Sequence, residues 1–344
     1  MSQFAEFSRA TIGDVAEKAG VSIATVSRVI NKTGQVAEAT AARVWGAVAE
    51  LNYSPHAAAR GLASRRTNNI GLVMREISGE FFSPMLRGIE AGTRENGYDL
   101  LIHCTYQSGD ANQLGHYALG EHNADGMIVF VDSLDENELV RLYQMQFPIV
   151  LLHRTPPEGL DMPHVSFENK LGARKLVDYL IEVRGYKRIA FLPGPEGVED
   201  SYWREMGYRD SLKAHGIAYD PALVVTGGFD EYQGQVAVAQ LLSRNIPIDA
   251  IFAGDDDTAI GALIALKDAG LRVPEDIALV GFDDIRLSRY LTPPLTTVRA
   301  PIEQAGREAV KQLVSLIQSG RAEKLTLLPT ELVIRRSCGA PEQA

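Results

Sequence analysis

TIGDVAEKAGVSIATVSRVIN, residues 11–31, decides how the rest of the chain is read. Thr11 followed by Asp14 is a capping box in its acidic form, with a hydroxyl over the first turn and a carboxylate three residues on. Ile12, Val15, Ala16 and Ala19 recur at helical spacing, and Gly20 breaks the helix. Ser22 is a second N-cap, and Ile23 to Ile30 forms the next helix with Val26, Val29 and Ile30 on one face. Two short helices joined by a glycine-containing turn predict a helix-turn-helix. A third amphipathic helix, Glu38 to Asn52, lines one face with Ala41, Val44, Val48 and Leu51, so three helices close a small core.

Charge agrees with this head being a nucleic-acid reader. Residues 1–66 hold eight basic and five acidic groups, a net of +3, whereas the remainder holds 26 and 39, a net of −13. A basic head on an acidic body suits a polyanion-binding module attached to a domain that stays off the polyanion. A DNA-reading second helix enters the major groove N-terminus first. Ser22, Ile23, Ala24, Thr25, Ser27 and Arg28 are then its outward groups. Arg28 suits a bidentate contact to guanine, the three hydroxyls suit phosphates, and Ile23 and Ala24 offer apolar contact to thymine methyls. The competing reading is a plain three-helix protein-interaction domain.

Working outward, SPHAAARGLAS (54–64) is a conditional hinge. Pro55 suits a first turn, the alanines and Leu62 favour helix, and Gly61 opposes it by about 1 kcal/mol. The segment is shorter than the ~12–15 residues a free helix needs in water. It is expected to become helical only when supported, for example by a partner hinge on a minor groove, with Leu62 as the apolar wedge. The alternative is an ordinary alanine-rich linker.

From Asn69 onward strands and helices alternate, in two series of about 100 residues each, which predicts two α/β lobes with parallel sheets. The chain of 344 residues is 45% hydrophobic and 23% charged, an ordinary globular composition expected to form two or three domains. No stretch approaches the ~20 apolar residues that cross a bilayer, and Met1 to Ala10 lacks a secretory pattern. Only Cys104 and Cys338 are present, which points to a reducing, cytoplasmic setting and away from disulfides or a cysteine-rich zinc site. The seven histidines are scattered, with no nucleophile-elbow, zincin or phosphate-loop context, so neither an enzyme nor a cofactor is expected. Ligands of open parallel sheets bind at the carboxyl ends of strands, so a small molecule belongs in a cleft between the lobes.

The runs TIGDVAEKAGVSIATVSRVIN (11–31), LNYSPHAAARGLA (51–63) and NNIGLVM (68–74) closely resemble the LacI/GalR family of bacterial transcription regulators. FFSPMLRGIE, RIAFLPGP, AIFAGDDDTAIGAL, VPEDIALVGFDDI and LTPPLTTVRAP extend the resemblance over about residues 10–338. It implies an all-α helix-turn-helix head with a hinge helix, followed by a periplasmic-binding-protein-like α/β core. The head is expected at 9–54 and the hinge at 55–67. The N-terminal lobe is expected at 68–168 and 298–325, and the C-terminal lobe at 169–297 and 326–338. It also implies a homodimeric, ligand-controlled repressor on a palindromic operator.

Carried over by position, Ile23, Ala24 and Arg28 match base-reading sites, Leu62 matches the minor-groove lever, and Ala59 lies one turn before it. Phe81 and Phe82 match a loop that closes on the effector, Arg204 an effector-binding arginine, Phe229 an aromatic against the ligand, and Asp256 an acidic contact, with Asp283 near the cleft. Gly79 and Glu80 stand where Asn-Pro is usual, Ala37 replaces a hydroxyl cap, and Glu168 replaces an aspartate. Asp255 to Asp257 read as a solvated helix N-terminus rather than a metal site, and Asp256 has a competing role as that helix's cap.

A carboxylate accepts from adjacent hydroxyls and a guanidinium donates as a fixed fork, so Asp256 and Arg204 suit a polyol, with Phe81 and Phe229 packing on its ring. A carbohydrate is the favoured effector; a purine held by the same groups, or another metabolite, stays open, as does a solute-binding protein without DNA function.

Overall fold

The structure, a computed structural model, describes residues 10–31, 33–54, 66–105, 119–131 and 133–341. The chain divides at Asn68 and Asn69 into two units. In the first, α1 (Ile12–Ala19), α2 (Ile23–Asn31) and α3 (Glu38–Glu50) surround Val15, Ala16, Ala19, Val26, Val29, Val44 and Ala47. Thr11 and Asp14 form the expected reciprocal box, the Asp14 carboxylate accepting the Thr11 amide at 2.7 Å. Gly20 takes φ +63°, a left-handed cap in which a β-carbon is strained. Ala37 precedes α3 with no side-chain cap bond, as its side chain dictates. Ala59 and Leu62, and the hinge they belong to, lie outside the described residues.

The second unit starts on β1 (Asn69–Met74) and carries a six-stranded sheet. With β2 (Asp99–Cys104), β3 (Gly126–Phe130), β4 (Ile149–Leu152), β5 (His164–Phe167) and β10 (Leu325–Leu328), its order is β10-β5-β4-β3-β1-β2, every pairing parallel. The central strands are buried on both faces, which is why they read as continuous apolar runs. A second parallel sheet, β6 (Ile189–Leu192), β7 (Ala250–Ala253) and β8 (Ala278–Val280), forms the other lobe. An antiparallel pair, β9 (Thr297–Arg299) with β11 (Glu331–Val333), joins that lobe through bridges from Val280 to Thr296 and from Asp283 to Arg299.

Helices cover the sheets. In the first lobe α4 (Gly79–Glu95) packs on α10 (Ile302–Ser319), with Gly88 and Gly306 at the crossing. A β-carbon on Gly88 would stand 2.0 Å from the Glu303 carbonyl oxygen, so only glycine permits the approach. α5 (Glu136–Gln144) lies with the same lobe, its Leu139 and Leu142 in a cluster with Val129 and Leu151. In the second, α6 (Asn169–Glu182) packs on α7 (Glu199–Ala214), and α8 (Glu231–Ser243) on α9 (Asp256–Asp268). The chain crosses between lobes three times, after β5, after β9 and after β10.

Several expectations are corrected. Strand β10 pairs with β5, so residues 325–328 belong to the N-terminal lobe and not to a C-terminal lobe beginning at 326. Strand β9 belongs with the C-terminal lobe, which moves that boundary from 298 to about 300. One segment of the alternating pattern, Leu223 to Thr226, is not a strand: a 3-10 turn (Pro221–Leu223) is followed by an isolated bridge from Val224 to Phe191, because Pro221 starts a tight turn there. Helix α4 begins at Gly79 and runs through Pro84, whose ring nitrogen supplies no amide to the Glu80 carbonyl one turn back. Phe81 and Phe82 therefore sit on the first turns of a helix and not in a loop.

Candidate functional site

In the head, the first turns of α2 leave Ser22, Ile23, Ala24 and Arg28 exposed, Ile23 by 54%. Thr25 and Ser27 are half-buried. The Ser22 hydroxyl accepts the Thr25 amide at 3.2 Å, capping α2, and Ser27 accepts from Asn31 at 3.2 Å. Two of the three hydroxyls read as phosphate contacts thus also hold the helix.

In the core, a cleft of about 730 Å³ opens at the carboxyl ends of β1, β3 and β7. Phe81, Phe82 and Phe130 wall it on one lobe, and Arg204, Phe229, Asp255, Asp257 and Asp283 on the other. Phe82 meets Phe81 and Phe130 edge-on, each pair with centroids 5.5 Å apart. Five of the six expected effector residues therefore come together: Phe81, Phe82, Arg204, Phe229 and Asp283.

Arg204 is only 2% exposed and is held from every side. Its Nε donates to Asn169 at 2.9 Å, Nη1 to the Gly254 carbonyl at 2.7 Å and Nη2 to Asp283 at 2.9 Å. Its face lies 3.9 Å from the Phe282 centroid and 5.3 Å from that of Phe229. Phe229 takes φ +57°, which turns its ring onto the floor of the site. A β-carbon on Gly194 would lie 2.5 Å from Phe229 Cζ, so the ring's seat requires glycine.

The sixth residue is elsewhere. Asp256 is 0% exposed and is not part of the cleft wall. Its carboxylate accepts from the Ser288 hydroxyl, from Thr297 Oγ1 at 2.6 Å and from the Ile285 amide at 3.0 Å. Burial pushes its carboxyl well above the usual carboxylate range, the hydroxyl bonds opposing. The reading of Asp256 as a ligand contact is corrected accordingly: it ties α9 to the turn after β8. The helix cap is Asp255, whose carboxylate accepts the Thr258 amide at 2.9 Å. Neither residue is solvated, since Asp255 is 7% exposed. Glu168 lines a smaller pocket, of about 290 Å³, rather than the cleft.

Sequence reasoning named Asp283 and read Asp255 and Asp257 only as a solvated helix start, but it missed Asp200 and His153, which share in setting the site's electrostatics. Burial, with the Asp283 charge next, raises Asp255 to about 7 and Asp257 to about 6. Burial also raises Asp283, against the pull of Arg204. Asp200 is buried too, yet His153 and then Arg204 hold it below the ordinary value. His153 Nδ1 lies 3.2 Å from Asp200 Oδ2, and Asn169 bridges Asp200, at 2.7 Å, to Arg204. His153 follows β4 and Asp200 starts α7, so this network crosses the lobes. Thr155 also crosses, its amide donating to Glu199 at 2.6 Å, and Glu80 faces Arg286 at 3.5 Å. Asn169 stands beside the Glu168 position already singled out, and a buried asparagine opening a helix was the available signal.

Residues 11–56 match the model of bacterial regulatory proteins of the lacI family, and residues 177–338 match that of the periplasmic binding protein-like domain. The chain is 35% identical over 331 residues to the ribose operon repressor of Escherichia coli strain K12, covering 95% of this chain and 99% of that protein. A structure of the Lac repressor dimer bound to operator and an anti-inducer is similar with TM-score 0.83 at 28% identity, covering 96% of this chain and 99% of that one. A complex of the transcriptional regulator CelR with cellobiose is similar with TM-score 0.71 at 34% identity, covering 96% and 100%. Identity at that level along nearly the whole length, with a capped reading head and a two-lobed cleft, leads to one conclusion: the chain belongs to the LacI family of bacterial regulatory proteins.

Proposed function

We propose that the protein is a homodimeric, sequence-specific DNA-binding transcriptional repressor whose grip on a palindromic operator is set by a small carbohydrate in the inter-lobe cleft. The carrying observation is the union, in one chain, of an exposed helix N-terminus in a capped helix-turn-helix and a cleft walled by phenylalanines, carboxylates and a buried arginine held by Asp283. Arg28, Ile23 and Ala24 meet base edges, with Ser22, Thr25 and Ser27 at phosphates. Ala59 and Leu62 sit on the hinge that opens the minor groove. In the cleft, Phe81, Phe82 and Phe229 pack on the ring while Arg204 and Asp283 meet its hydroxyls. Two relatives support the sugar class by what their names say of them, a ribose operon repressor and a CelR–cellobiose complex.

Mechanistically, the effector bridges the lobes where His153 and Asp200 already do, and so selects one inter-lobe angle. DNA and effector affinities are then coupled reciprocally. The test is fluorescence anisotropy of the full-length protein on an operator selected from random duplexes, with and without sugars. Salt-sensitive binding that a sugar modulates is expected. Failure to bind any selected duplex at low salt refutes the DNA half; a grip that no cleft ligand alters refutes the sensing half.

A further inference from the structure

The wall of the cleft is lopsided in charge. Among the described residues seven carboxylates line it, including Asp200, Asp230, Asp255, Asp257 and Asp283, against two guanidiniums, Arg75 and Arg204. Arg204 is already committed to Asp283, Asn169 and the Gly254 carbonyl, and Arg75 is exposed at the rim. Among the described residues no lysine or histidine lines the space. Asp255 is more than nine-tenths buried; one oxygen caps α9, and the other accepts no hydrogen bond among the described residues. Opposite these acids stand Phe81, Phe82 and Phe130, whose negative ring faces attract cations as readily as they stack on sugars.

A neutral polyol could satisfy the acceptors but would leave the mutual repulsion of the acids in place. A phosphate would add to it. Either protonation of the acids or a bound cation removes it, and among the described residues the wall supplies no cation that is not already engaged or at the rim.

We propose that the cleft selects a carbohydrate bearing a protonated amine, its ammonium placed between Asp255, Asp257 and the phenylalanine wall, over the neutral or phosphorylated sugar of the same ring. The proposal rests on the reading of the cleft as the effector site. Asp255 and Asp257, raised by burial and by Asp283, are the groups an ammonium would ionise. Binding therefore releases protons near pH 6 and tightens between pH 5 and pH 7.

The test is calorimetry and thermal shift on the full-length protein at pH 7. The probes are matched sets: glucosamine, N-acetylglucosamine, glucose and glucose 6-phosphate, with the corresponding galactose and mannose sets. In at least one set the free amine should bind about tenfold or more tightly than its neutral counterpart, a difference of about 1.4 kcal/mol. The N-acetyl derivative should lose the advantage, because it keeps the nitrogen and removes the charge. Asp255→Asn should cancel most of the amine preference, read as the ratio of amine to neutral affinity within each set. Should that variant fold poorly, Asp257→Asn, at a less buried position, reads the same preference. A neutral or phosphorylated sugar that equals the amine in every set overturns the proposal, as does a complete set of amines that moves neither heat nor melting temperature. Operator release by a neutral sugar would leave the sensing function standing and remove only the charge preference.

Discussion

Replacing Asp256 by alanine removes one buried carboxylate and strands three donors: the Ser288 hydroxyl, the Thr297 hydroxyl and the Ile285 amide. Each unpaired buried donor costs about 1–3 kcal/mol. Both hydroxyls can rotate toward other acceptors, whereas the amide cannot, so the loss should settle at about 3–5 kcal/mol. That is a large part of the ~5–15 kcal/mol that holds a typical domain together. Asp256→Asn keeps the shape and an acceptor, and should cost about 1–2 kcal/mol. Urea unfolding followed by circular dichroism reads both, with sugar binding measured on the variant that stays folded. The asparagine variant should retain its ligand affinity within a few-fold, because the carboxylate faces the turn after β8 and not the cleft. An alanine variant with an unchanged midpoint and no ligand response would refute this reasoning and return Asp256 to the binding site.

Arg28→Ala should weaken specific operator binding by roughly 1–3 kcal/mol without changing the melting of the head, since the side chain is exposed; unaltered anisotropy titrations would show that α2 is not the reading helix. Gly194→Ala should displace the Phe229 ring and weaken ligand binding by ~1–3 kcal/mol, and an unchanged calorimetric Kd would separate that ring from the effector. The raised folded-state values of about 7 for Asp255 and about 6 for Asp257 mean that their contribution to stability is fully present below pH 3.8 and lost as pH rises through 6 to 7. The ligand-free protein should therefore lose, from this pair, stability on the order of a few kcal/mol between pH 4 and pH 7.5. Asp255→Asn should flatten that slope, and urea midpoints with identical slopes in both proteins would contradict the assignment.

The head was nearly fully legible because its signals are local: Thr11 with Asp14, Gly20, and Ser22 with Thr25 each act within four residues. Alternation of apolar strands and helices likewise revealed both lobes. Strands β5 and β10 escaped because His164 and Thr326 interrupt their apolar pattern, and they are strands only by pairing with each other and with β4. The site shows the same division. Arg204, Phe229 and Asp283 were found by motif, but Asp255, Asp256 and Asp257 look interchangeable in sequence. A helical turn sends three successive side chains about 100° apart, so one caps, one enters the core and one faces the cleft rim. The His153–Asp200 contact joins residues from separate lobes, and no local pattern carries it.

The three passages of chain between the lobes have a mechanical consequence. A single tether would allow the halves to swivel freely, and two would define an axis with slack along it. Three short connectors, each anchored in a strand or helix at both ends, forbid sliding and leave essentially one bending mode. Whatever occupies the mouth of the molecule therefore reports through that mode alone, as pliers report the size of what they hold by the spread of their handles.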